Sequence, residues 1–521
     1  MKRHYLLGLD IGTYSSKGAL VEQDGRVVAS EAVDNRLEMP YPGWAEHDAE
    51  TTWWGGFLSI VHRLLRVSGI EPRHIAGIGF SGISPAVLPI DRDGRALRKA
   101  ILYGIDTRAT REAEELQSII DADEGLSQAG VRLSSQSALP KVLWIRRQEP
   151  EVWAKTYQIV SATGFLLYRL ARTNVLDIYD AVSFAPFVDS SQRQWKPDIG
   201  RYVAPAEMLP RLTWTCEVAG RITAEGARLS GLAEGTPIIA GTADAAAEAI
   251  SAGLSNVGDM MLMYGSSAFF ILRTPRLLTA PHFWTSQFLE PGSFVLTGGM
   301  ATAGSLTKWF RDQFAPLEVQ AERAGGEDAY QALARLAGQS SIGANGLVML
   351  PYFSGERTPI LDPDAKGMIF GLGLTHNRAD VYRALLESVG YGIRHNIDEM
   401  RAEGAEPVRI LAVGGGTHNS LWLQIVSDIA GIEQHIPEQR LGACFGDAFL
   451  AGVGVGLFSG TREVDRWVRV EQLVRPDPVA HDRYEAFYRI YRDLYARNAP
   501  LMGAIGRLVQ NAPAQARTAR D

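Results

Sequence analysis

Short apolar segments that end at glycine recur along the chain, and each has the length of a β-strand. They are YLLGLDIG (5–12), HIAGIGFSG (74–82), TPIIAGTAD (236–244), MMLMYGSS (260–267), GLVMLPY (346–352) and RILAVGGG (409–416). Their length and their β-branched residues favour strands. Amphipathic segments lie between them; within residues 380–400, aliphatic side chains recur at every fourth position, as on one face of a helix. The alternation predicts an α/β protein.

Two domains are expected, because 521 residues exceed what one hydrophobic core usually serves. Glycine and turn residues near 250–258 separate a helical segment from the next strand and predict a boundary there. Each half begins alike, with an apolar run, a turn of glycine and hydroxyl residues and a second apolar run: LLGLDIGTYSSKGALV and MMLMYGSSAFFIL. This similarity suggests duplication. From about residue 479, aromatic residues at helical spacing predict a helix that packs on the body.

Composition and charge exclude several classes of protein. Hydrophobic residues make up 46% and charged residues 21%, which is typical of a globular chain. The net charge of -7 provides no general attraction for nucleic acid or an anionic membrane. Cys216 and Cys444 are too few and too far apart for a disulfide framework or a cysteine metal site. The first apolar run stops at Asp10, too early for a signal sequence, so we expect a cytoplasmic protein.

The stretch LGLDIGTYSSKGAL, residues 7–20, combines a carboxylate with several hydrogen-bond donors. An aspartate at a strand end beside a glycine most often stabilises the turn. Here Thr13, Ser15, Ser16 and Lys17 follow Asp10 within one short loop. Such a group suits a polyphosphate, whose oxygens accept hydrogen bonds and whose magnesium ion needs a carboxylate. Both interpretations stay open on the residues alone.

Two later stretches have a similar ambiguity. In GTADAAAEAISAG, residues 241–253, Asp244 precedes an alanine-rich helix, and it either caps that helix or acts as a base. In VGGGTHNSLWLQIVSDIAG, residues 413–431, three glycines either form a tight turn or let the backbone approach a ligand at a helix N-terminus.

A dinucleotide-dependent oxidoreductase is a further hypothesis, since Gly77, Gly79 and Gly82 match G-x-G-x-x-G after a predicted strand. Pro85 argues against it, because a proline there would break the helix that must follow. The G-x-x-x-x-G-K-[ST] mononucleotide loop is absent from the sequence.

Taken together, these stretches resemble the FGGY carbohydrate kinases, and the xylulokinase-like branch most. The family comprises sugar and polyol kinases that share the two-domain nucleotide clamp of actin and Hsp70. The resemblance extends over about residues 6–458, in these blocks: GLDIGTYSSKGALV, PGWAEHDAETTWW, ILYGIDTRA, GSSAFF, LPYFSGERTPILDPDAKGMIFGL with ADVYRALLES, and AVGGGTHNSLWLQIVSDIAG with GACFGDAFLAGVGVG. Six blocks in the family's order are far more specific than any single motif.

The resemblance implies a fold and a set of domains. It implies an α/β protein with two ribonuclease H-like domains of the actin and Hsp70 type around a central nucleotide cleft. Residues 1–252 would form the N-terminal FGGY domain, on the sugar-binding side. Residues 253–458 would form the C-terminal FGGY domain, on the adenosine-binding side, and residues 459–521 a helical tail packed on the body.

The resemblance also implies ATP and Mg²⁺ as cofactors and a role for each motif residue. Asp10 would bind magnesium, through water, and Asp244 would be the catalytic base. The phosphate-binding residues would be Gly12, Thr13, Ser15, Lys17, Gly265, Ser266 and Ser267. The adenosine-binding residues would be Gly304, Gly414, Gly415, Gly416 and Asn419.

The sugar-binding residues match the family less well. Xylulokinases typically have SGQMHG where this chain has SGISPA (81–86), and the asparagine that often follows the base is Ala245. Because such polar partners decide which hydroxyls are accepted, their loss should change the polyol that is used. The candidate sugar contacts, besides Asp244, are Ser81, Ser84, Tyr103, Asp106 and Arg108. Asp106 and Arg108 could instead form a surface ion pair, and Glu356 and Arg357 could only stabilise a hinge.

The predicted function is an ATP-dependent kinase that transfers the γ-phosphate to a hydroxyl of a xylulose-like ketopentose or a related sugar or polyol. The alternatives are a non-catalytic nucleotide switch of the actin or Hsp70 type and, within the family, a kinase for ribulose, a sugar alcohol or another polyol. We expect a small-molecule substrate, no nucleic acid and no membrane partner, and the sequence allows a homodimer.

Overall fold

Two compact units make up the computed structural model, which describes residues 4–128 and 130–510. The first unit combines the chain up to Ser255 with residues 286–294 and 439–469. The second unit combines residues 256–285 and 295–438 with the chain from Val470 onward. Each unit therefore combines segments that are not contiguous in the sequence. Residues 439–458, which the sequence predicts within the C-terminal domain, pack with the first unit. The domain boundaries predicted from the sequence, after residues 252 and 458, stay predictions.

The strands are numbered in chain order. They are β1 (Tyr5–Ile11), β2 (Ser15–Glu22), β3 (Val27–Asp34), β4 (Glu46–His47), β5 (Ile75–Gly82), β6 (Leu88–Ile90), β7 (Ala100–Ile101), β8 (Gln158–Val160), β9 (Val175–Asp177), β10 (Val188–Asp189), β11 (Gln194–Trp195), β12 (Arg211–Thr213), β13 (Val218–Arg221), β14 (Pro237–Ile239), β15 (Thr242–Ala243), β16 (Asp259–Tyr264), β17 (Ala268–Thr274), β18 (Trp284–Gln287), β19 (Phe294–Met300), β20 (Val348–Leu350), β21 (Met368–Phe370), β22 (Arg409–Val413), β23 (Gln434–Pro437) and β24 (Val470–Val474).

The α-helices are α1 (Gly55–Ser68), α2 (Thr110–Ala122), α3 (Glu124–Ser127), α4 (Ala138–Gln148), α5 (Pro150–Lys155), α6 (Ala162–Ala171), α7 (Ile178–Ala181), α8 (Asp198–Tyr202), α9 (Ala224–Ser230), α10 (Asp244–Ser251), α11 (Gly304–Phe314), α12 (Pro316–Arg323), α13 (Ala329–Ala337), α14 (Arg378–Ala402), α15 (Ser420–Ala430), α16 (Ala443–Gly454) and α17 (Pro478–Gln510). A π-helical turn, Ala49–Trp54, leads into α1. Short 3-10 helices span Pro72–His74, Val182–Phe184, Ala206–Met208, Ala344–Gly346, Gly415–His418 and Thr461–Arg466.

The sheet of the first unit has the order β13-β14-β5-β1-β2-β3, with β15 also paired to β5. β1 and β2 form an antiparallel hairpin, and β1 and β5 are parallel. α16 packs directly on β1 and β5. This close approach requires glycine in both strands, because a Cβ at Gly8 would overlap the carbonyl oxygen of Cys444 and one at Gly79 that of Asp447.

The close packing of α16 on β5 therefore explains why Gly79, the second glycine of the G-x-G-x-x-G match, is a glycine. The chain continues after Gly82 to β6 without a helix, so the structure lacks the helix N-terminus that a dinucleotide pyrophosphate needs. The dinucleotide hypothesis is wrong.

The sheet of the second unit has the order β18-β19-β17-β16-β22-β23-β24. Here too an antiparallel hairpin, β16 with β17, lies beside a parallel strand, β22. α17 contributes buried tyrosines to the core of this unit, and the hydroxyl of Tyr491 lies 2.6 Å from that of Tyr352. Within residues 4–128 and 130–510, no helix combines the length and the apolar character that crossing a membrane requires.

Candidate active site

The tip of the first hairpin is fixed by an asparagine that the sequence analysis did not identify. The turn closes through a hydrogen bond from the Gly12 amide to the Ser15 carbonyl, of 3.0 Å. Asn35 Nδ2 donates to the Gly12 carbonyl at 2.6 Å, and the Asn35 amide donates to the Tyr14 carbonyl at 2.8 Å. Asn35 thus orients the backbone of a loop predicted to bind phosphate.

A buried histidine supports the same loop from another direction. Trp53 Nε1 donates to His47 Nδ1 at 3.1 Å, so the other ring nitrogen is the donor in the 3.0 Å contact between His47 Nε2 and the Thr13 carbonyl. Burial lowers the pKa of His47, which keeps the ring neutral in this tautomer. The Thr13 hydroxyl lies 3.0 Å from the Tyr103 hydroxyl. Tyr103, predicted to contact sugar, therefore lies at the hairpin tip.

Asp10 occupies the end of β1, opposite Lys17 on β2 and Ser81 on β5. Ser81 Oγ lies 3.1 Å from Asp10 Oδ1 and 2.7 Å from Asp447 Oδ2, which extends from α16. Burial raises the pKa of Asp10 to about 6, against the lowering effect of the Ser81 hydrogen bond and the Lys17 charge. Asp10 is therefore mostly ionised at neutral pH. Ser81 is fully buried and contacts these two carboxyl groups, and its predicted sugar contact stays a prediction.

Asp244 is the first residue of α10 and directly follows β15. The N-cap position belongs to Ala243, and Asp244 Oδ1 accepts only the adjacent amide, that of Ala245, at 2.7 Å. Asp244 therefore lies one residue after the N-cap position, but its carboxylate still accepts one first-turn amide, so its role as a cap or as a base stays a prediction. Burial and the negative charges of Asp10, Glu248 and Asp180 raise the pKa of Asp244 to about 8.

Two further carboxyl groups, those of Asp177 and Asp180, lie at the N-terminus of α7 and within this helix. The Ser84 hydroxyl donates to Asp180. Asp177 accepts the Thr215 hydroxyl at 2.6 Å and the Asp180 amide at 3.0 Å. Burial and the nearby Asp177 charge raise the pKa of Asp180 to about 7. Ser84, a predicted sugar contact, is thus paired with an acid that the sequence analysis missed.

Asp106 and Arg108 form an ion pair that is buried, so the surface interpretation is wrong. Their side chains are 0% and 1% exposed, and Arg108 Nη2 lies 2.6 Å from Asp106 Oδ2. Arg108 Nη1 also donates to Glu46 at 2.7 Å, and the guanidinium group lies 3.8 Å from the ring centroid of Trp44. Such a pair forms only where other groups satisfy the remaining donors. A sugar contact for either residue stays a prediction.

The second hairpin has its three predicted phosphate-binding residues at its turn, since Tyr264 pairs with Ala268. The N-terminus of α11 is bonded to this turn: the amides of Ala303 and Ser305 donate to the Ser266 carbonyl, each at 2.9 Å. The Gly304 amide donates to the Gly265 carbonyl at 2.9 Å, and a Cβ at Gly304 would lie 2.6 Å from the same oxygen. The structure therefore brings Gly304 together with the second hairpin.

Glu356 fixes the segment before α11. Its Oε1 accepts the Ala301 amide at 2.6 Å and the Arg357 amide at 2.7 Å. Burial raises the pKa of Glu356 to about 7. Arg357 itself is exposed.

The glycine-rich segment 414–416 begins directly after β22, at the end of a central strand of the second unit's sheet. Gly414 has a φ of 90°, and a Cβ there would lie 2.8 Å from the Tyr264 carbonyl oxygen. A Cβ at Gly415, in contrast, would meet no atom within 4 Å. Asn419 caps α15, since its Oδ1 accepts the Trp422 amide at 3.0 Å. Tight packing explains Gly414, whereas Gly415 leaves open space beside a helix N-terminus.

Comparisons with known proteins identify the family. The model for the N-terminal domain of the FGGY family of carbohydrate kinases matches residues 5–251, and that for the C-terminal domain matches residues 260–455. The chain belongs to the FGGY family of carbohydrate kinases. The predicted family and enzyme class, a sugar kinase phosphotransferase, are confirmed.

Similar proteins cover nearly the whole length of this FGGY kinase. The crystal structure of xylulose kinase from Rhodospirillum rubrum has a TM-score of 0.87 and 32% identity and covers 96% of this chain and 100% of its own. Xylulose kinase from Staphylococcus epidermidis is 28% identical over 96% of this chain and 98% of its own. Gluconokinase from Bacillus subtilis is 26% identical over 97% of this chain and 96% of its own. The predicted two-domain α/β fold class is confirmed.

Proposed function

We propose that this FGGY kinase transfers the γ-phosphate of ATP to a hydroxyl of a xylulose-like ketopentose, with Asp244 as general base. The observation that supports this best is the position and charge state of Asp244. It begins α10 at the end of β15, lies one residue after the N-cap position, and has a pKa near 8. A base is most effective when its pKa lies near the working pH.

The proton and the phosphoryl group move in one exchange. As the acceptor oxygen bonds to the γ-phosphorus, the bond from that phosphorus to the bridging oxygen of ADP breaks. Asp244 takes the proton that the acceptor hydroxyl loses. Because the transferring group needs mainly alignment and charge neutralisation, the carboxylate need not be a strong base.

The residues around Asp10 fit a magnesium ion. Mg²⁺ prefers carboxylate and water oxygens, and Asp10 is mostly ionised at neutral pH because its pKa is about 6. When bound with ATP, magnesium neutralises charge on the phosphates. Asp10 would bind it through water. We assign the turn residues Gly12, Thr13 and Ser15, with Lys17, to the phosphates.

The second unit supplies the remaining nucleotide contacts in this proposal. Gly265, Ser266 and Ser267 would bind phosphate through the turn of the second hairpin. Gly414, Gly415, Gly416, Asn419 and Gly304 would lie along the adenosine. The open space at Gly415 fits this role, since a side chain there would occupy the room that a flat base needs.

An uncharged acceptor is favoured over a sugar acid. Besides burial, the acidic groups Asp10, Glu248 and Asp180 raise the pKa of Asp244, and the pKa of each of these groups is itself raised. A second anion bound beside them would be repelled at short range. The similar proteins include both xylulose kinases and a gluconokinase. We therefore place this chain with the kinases of neutral ketoses and polyols. The homodimer and the cytoplasmic location stay predictions.

A coupled assay of ADP release against a panel of acceptors tests the proposal. The panel contains D-xylulose, D-ribulose, xylitol, ribitol and D-gluconate at equal concentrations. We expect at least one neutral compound to give a kcat/KM roughly a hundredfold above that of gluconate, as expected when a site leaves a charge uncompensated. Turnover that is fastest with gluconate would contradict the charge argument. ADP release that no sugar accelerates would contradict the kinase proposal itself.

A further inference from the structure

Asp447 is a fully buried carboxyl group with an incomplete set of partners. It extends from α16 towards β5 and is 0% exposed. Its Oδ2 lies 2.7 Å from the hydroxyl of Ser81, which is also 0% exposed. Its Oδ1 meets no hydrogen-bond donor in good geometry among the residues that the structure describes, although the Ser81 backbone lowers the pKa of Asp447 through a weaker contact. A buried polar atom without a partner costs free energy, so it is rarely retained without another use.

The Ser81 hydroxyl lies between two acids but has only one hydrogen. Its oxygen is 2.7 Å from Asp447 Oδ2 and 3.1 Å from Asp10 Oδ1. A single hydrogen makes a full hydrogen bond to one acid only, so both contacts become full hydrogen bonds when one of the acids supplies a second hydrogen. If Asp447 donates to Ser81, Ser81 is free to donate to Asp10. The result is an ordered chain of two hydrogen bonds that ends on the Asp10 carboxylate.

The surroundings favour the proton on Asp447. α16 packs against β1, β2, β5 and α10, which contribute the titratable groups Asp10, Lys17, Asp244 and Glu248. Burial and the charges of Asp10 and Asp244 raise the pKa of Asp447 well above its usual value. Lys17 lies opposite Asp10 in the β1–β2 pair, and its positive charge favours the ionised form of Asp10.

We infer that Asp447 is a positioning residue, which acts through the Ser81 hydroxyl to hold the Asp10 carboxylate in a single orientation towards the magnesium ion of bound MgATP. The inference rests on the proposed function, because it takes Asp10 as the magnesium residue. Ser81 then contributes by transmitting this contact rather than by touching the sugar. A neutral side chain with a donor hydrogen at position 447 should serve equally well.

Two substitutions separate the positioning role from simple packing. Asp447→Ala removes the donor to Ser81, whereas Asp447→Asn keeps a neutral side chain of the same shape that can donate through its amide. Phe449→Leu is the matched control, since Phe449 lies on the same helix but packs on Phe458 and Trp467. Calorimetry would measure the affinity of Mg²⁺ for each protein saturated with a non-hydrolysable ATP analogue. The magnesium dependence and sugar KM of turnover would be measured alongside.

We expect Asp447→Ala to weaken magnesium binding about tenfold, the usual size of effect when a group that orients a metal-binding carboxylate is removed. Asp447→Asn should restore the affinity to within about twofold of the parent protein. Neither substitution should change the sugar KM by more than about twofold. The inference is overturned if Asn weakens magnesium binding as much as Ala does, if neither has an effect, or if Phe449→Leu matches Asp447→Ala.

Failure of the proposed function would look different. It would appear in the unsubstituted protein as ADP release that no sugar accelerates. The calorimetric comparison of the 447 variants needs no turnover, so it gives its own answer in either case.

Discussion

The two hairpins occupy the same place in their own sheets but differ in chemistry. β1 lies between its antiparallel partner β2 and the parallel strand β5, as β16 lies between β17 and β22. One residue before the end of β1, Asp10 pairs with Lys17 and Ser81. The corresponding residue of β16, Met263, pairs with Phe269 and Val413. The two sheets have the same backbone arrangement at this position. The first unit has ionisable side chains there, whereas the second unit has apolar ones.

This difference suggests different roles for the two units in catalysis and in nucleotide binding. The first unit places Asp10, Asp244, Glu248 and Asp447 around one sheet edge, where burial raises the pKa of each. The second unit offers glycines, backbone amides and a capped helix at its own edge. In the proposed function, the first unit therefore supplies the chemistry and the second mainly supplies shape.

The largest effect is expected from Asp244→Ala. Removing the proposed base should lower sugar-dependent turnover roughly a hundredfold or more and leave nucleotide affinity near that of the parent protein. Turnover would be followed by coupled ADP release, and nucleotide affinity by calorimetry. An equal loss of nucleotide binding would indicate a structural role for Asp244.

The pH profile of the parent protein provides the control for this substitution. A base acts only when ionised, and the pKa of Asp244 is about 8. Below that value, kcat/KM for the sugar should rise about tenfold per pH unit and then level off above it. Asp244→Ala should remove this rise. A profile that keeps the same rise after the substitution would assign it to another group.

The difference between the hairpins can be tested directly by comparing Asp10→Asn with Met263→Leu. Asp10→Asn removes the charge that magnesium requires, so the magnesium concentration for half-maximal turnover should rise about tenfold or more. Met263→Leu conserves size in the corresponding position and should change it less than about twofold. Equal responses would mean that the two hairpins contribute alike, against the proposed division.

Local features of the fold could be predicted from the sequence because they depend on neighbours along the chain. The apolar run that ends at Asp10 and the alternating segments predicted β1 and the α/β class, and the repeated sequence pattern predicted a similar hairpin in each sheet. Asp244 could be located at a helix start, but whether it caps that helix depends on a difference of one residue. Propensity does not define helix ends that finely.

The supporting residues of the site could not be predicted, because their contacts join distant parts of the sequence. Asp447 meets Ser81 across 366 positions, and His47 meets Thr13 across 34. The reason for Gly8 and Gly79 also became visible only when α16 was found on top of them. A buried histidine or aspartate has no local pattern that distinguishes it from one on the surface.

The smallest effect is expected at the support of the first hairpin, from His47→Leu. The substitution removes the hydrogen bond to the Thr13 carbonyl and leaves the buried Trp53 indole N–H without its partner. One net hydrogen bond is worth about 1 kcal/mol, so affinity for a non-hydrolysable ATP analogue should fall about fivefold by calorimetry. His62→Leu, at an exposed position of α1, should leave it unchanged. Lower thermal stability with unchanged nucleotide affinity would show that His47 stabilises the fold without orienting the loop. Asp10 would then be the residue of the first hairpin whose contribution to nucleotide binding remains to be explained by its charge.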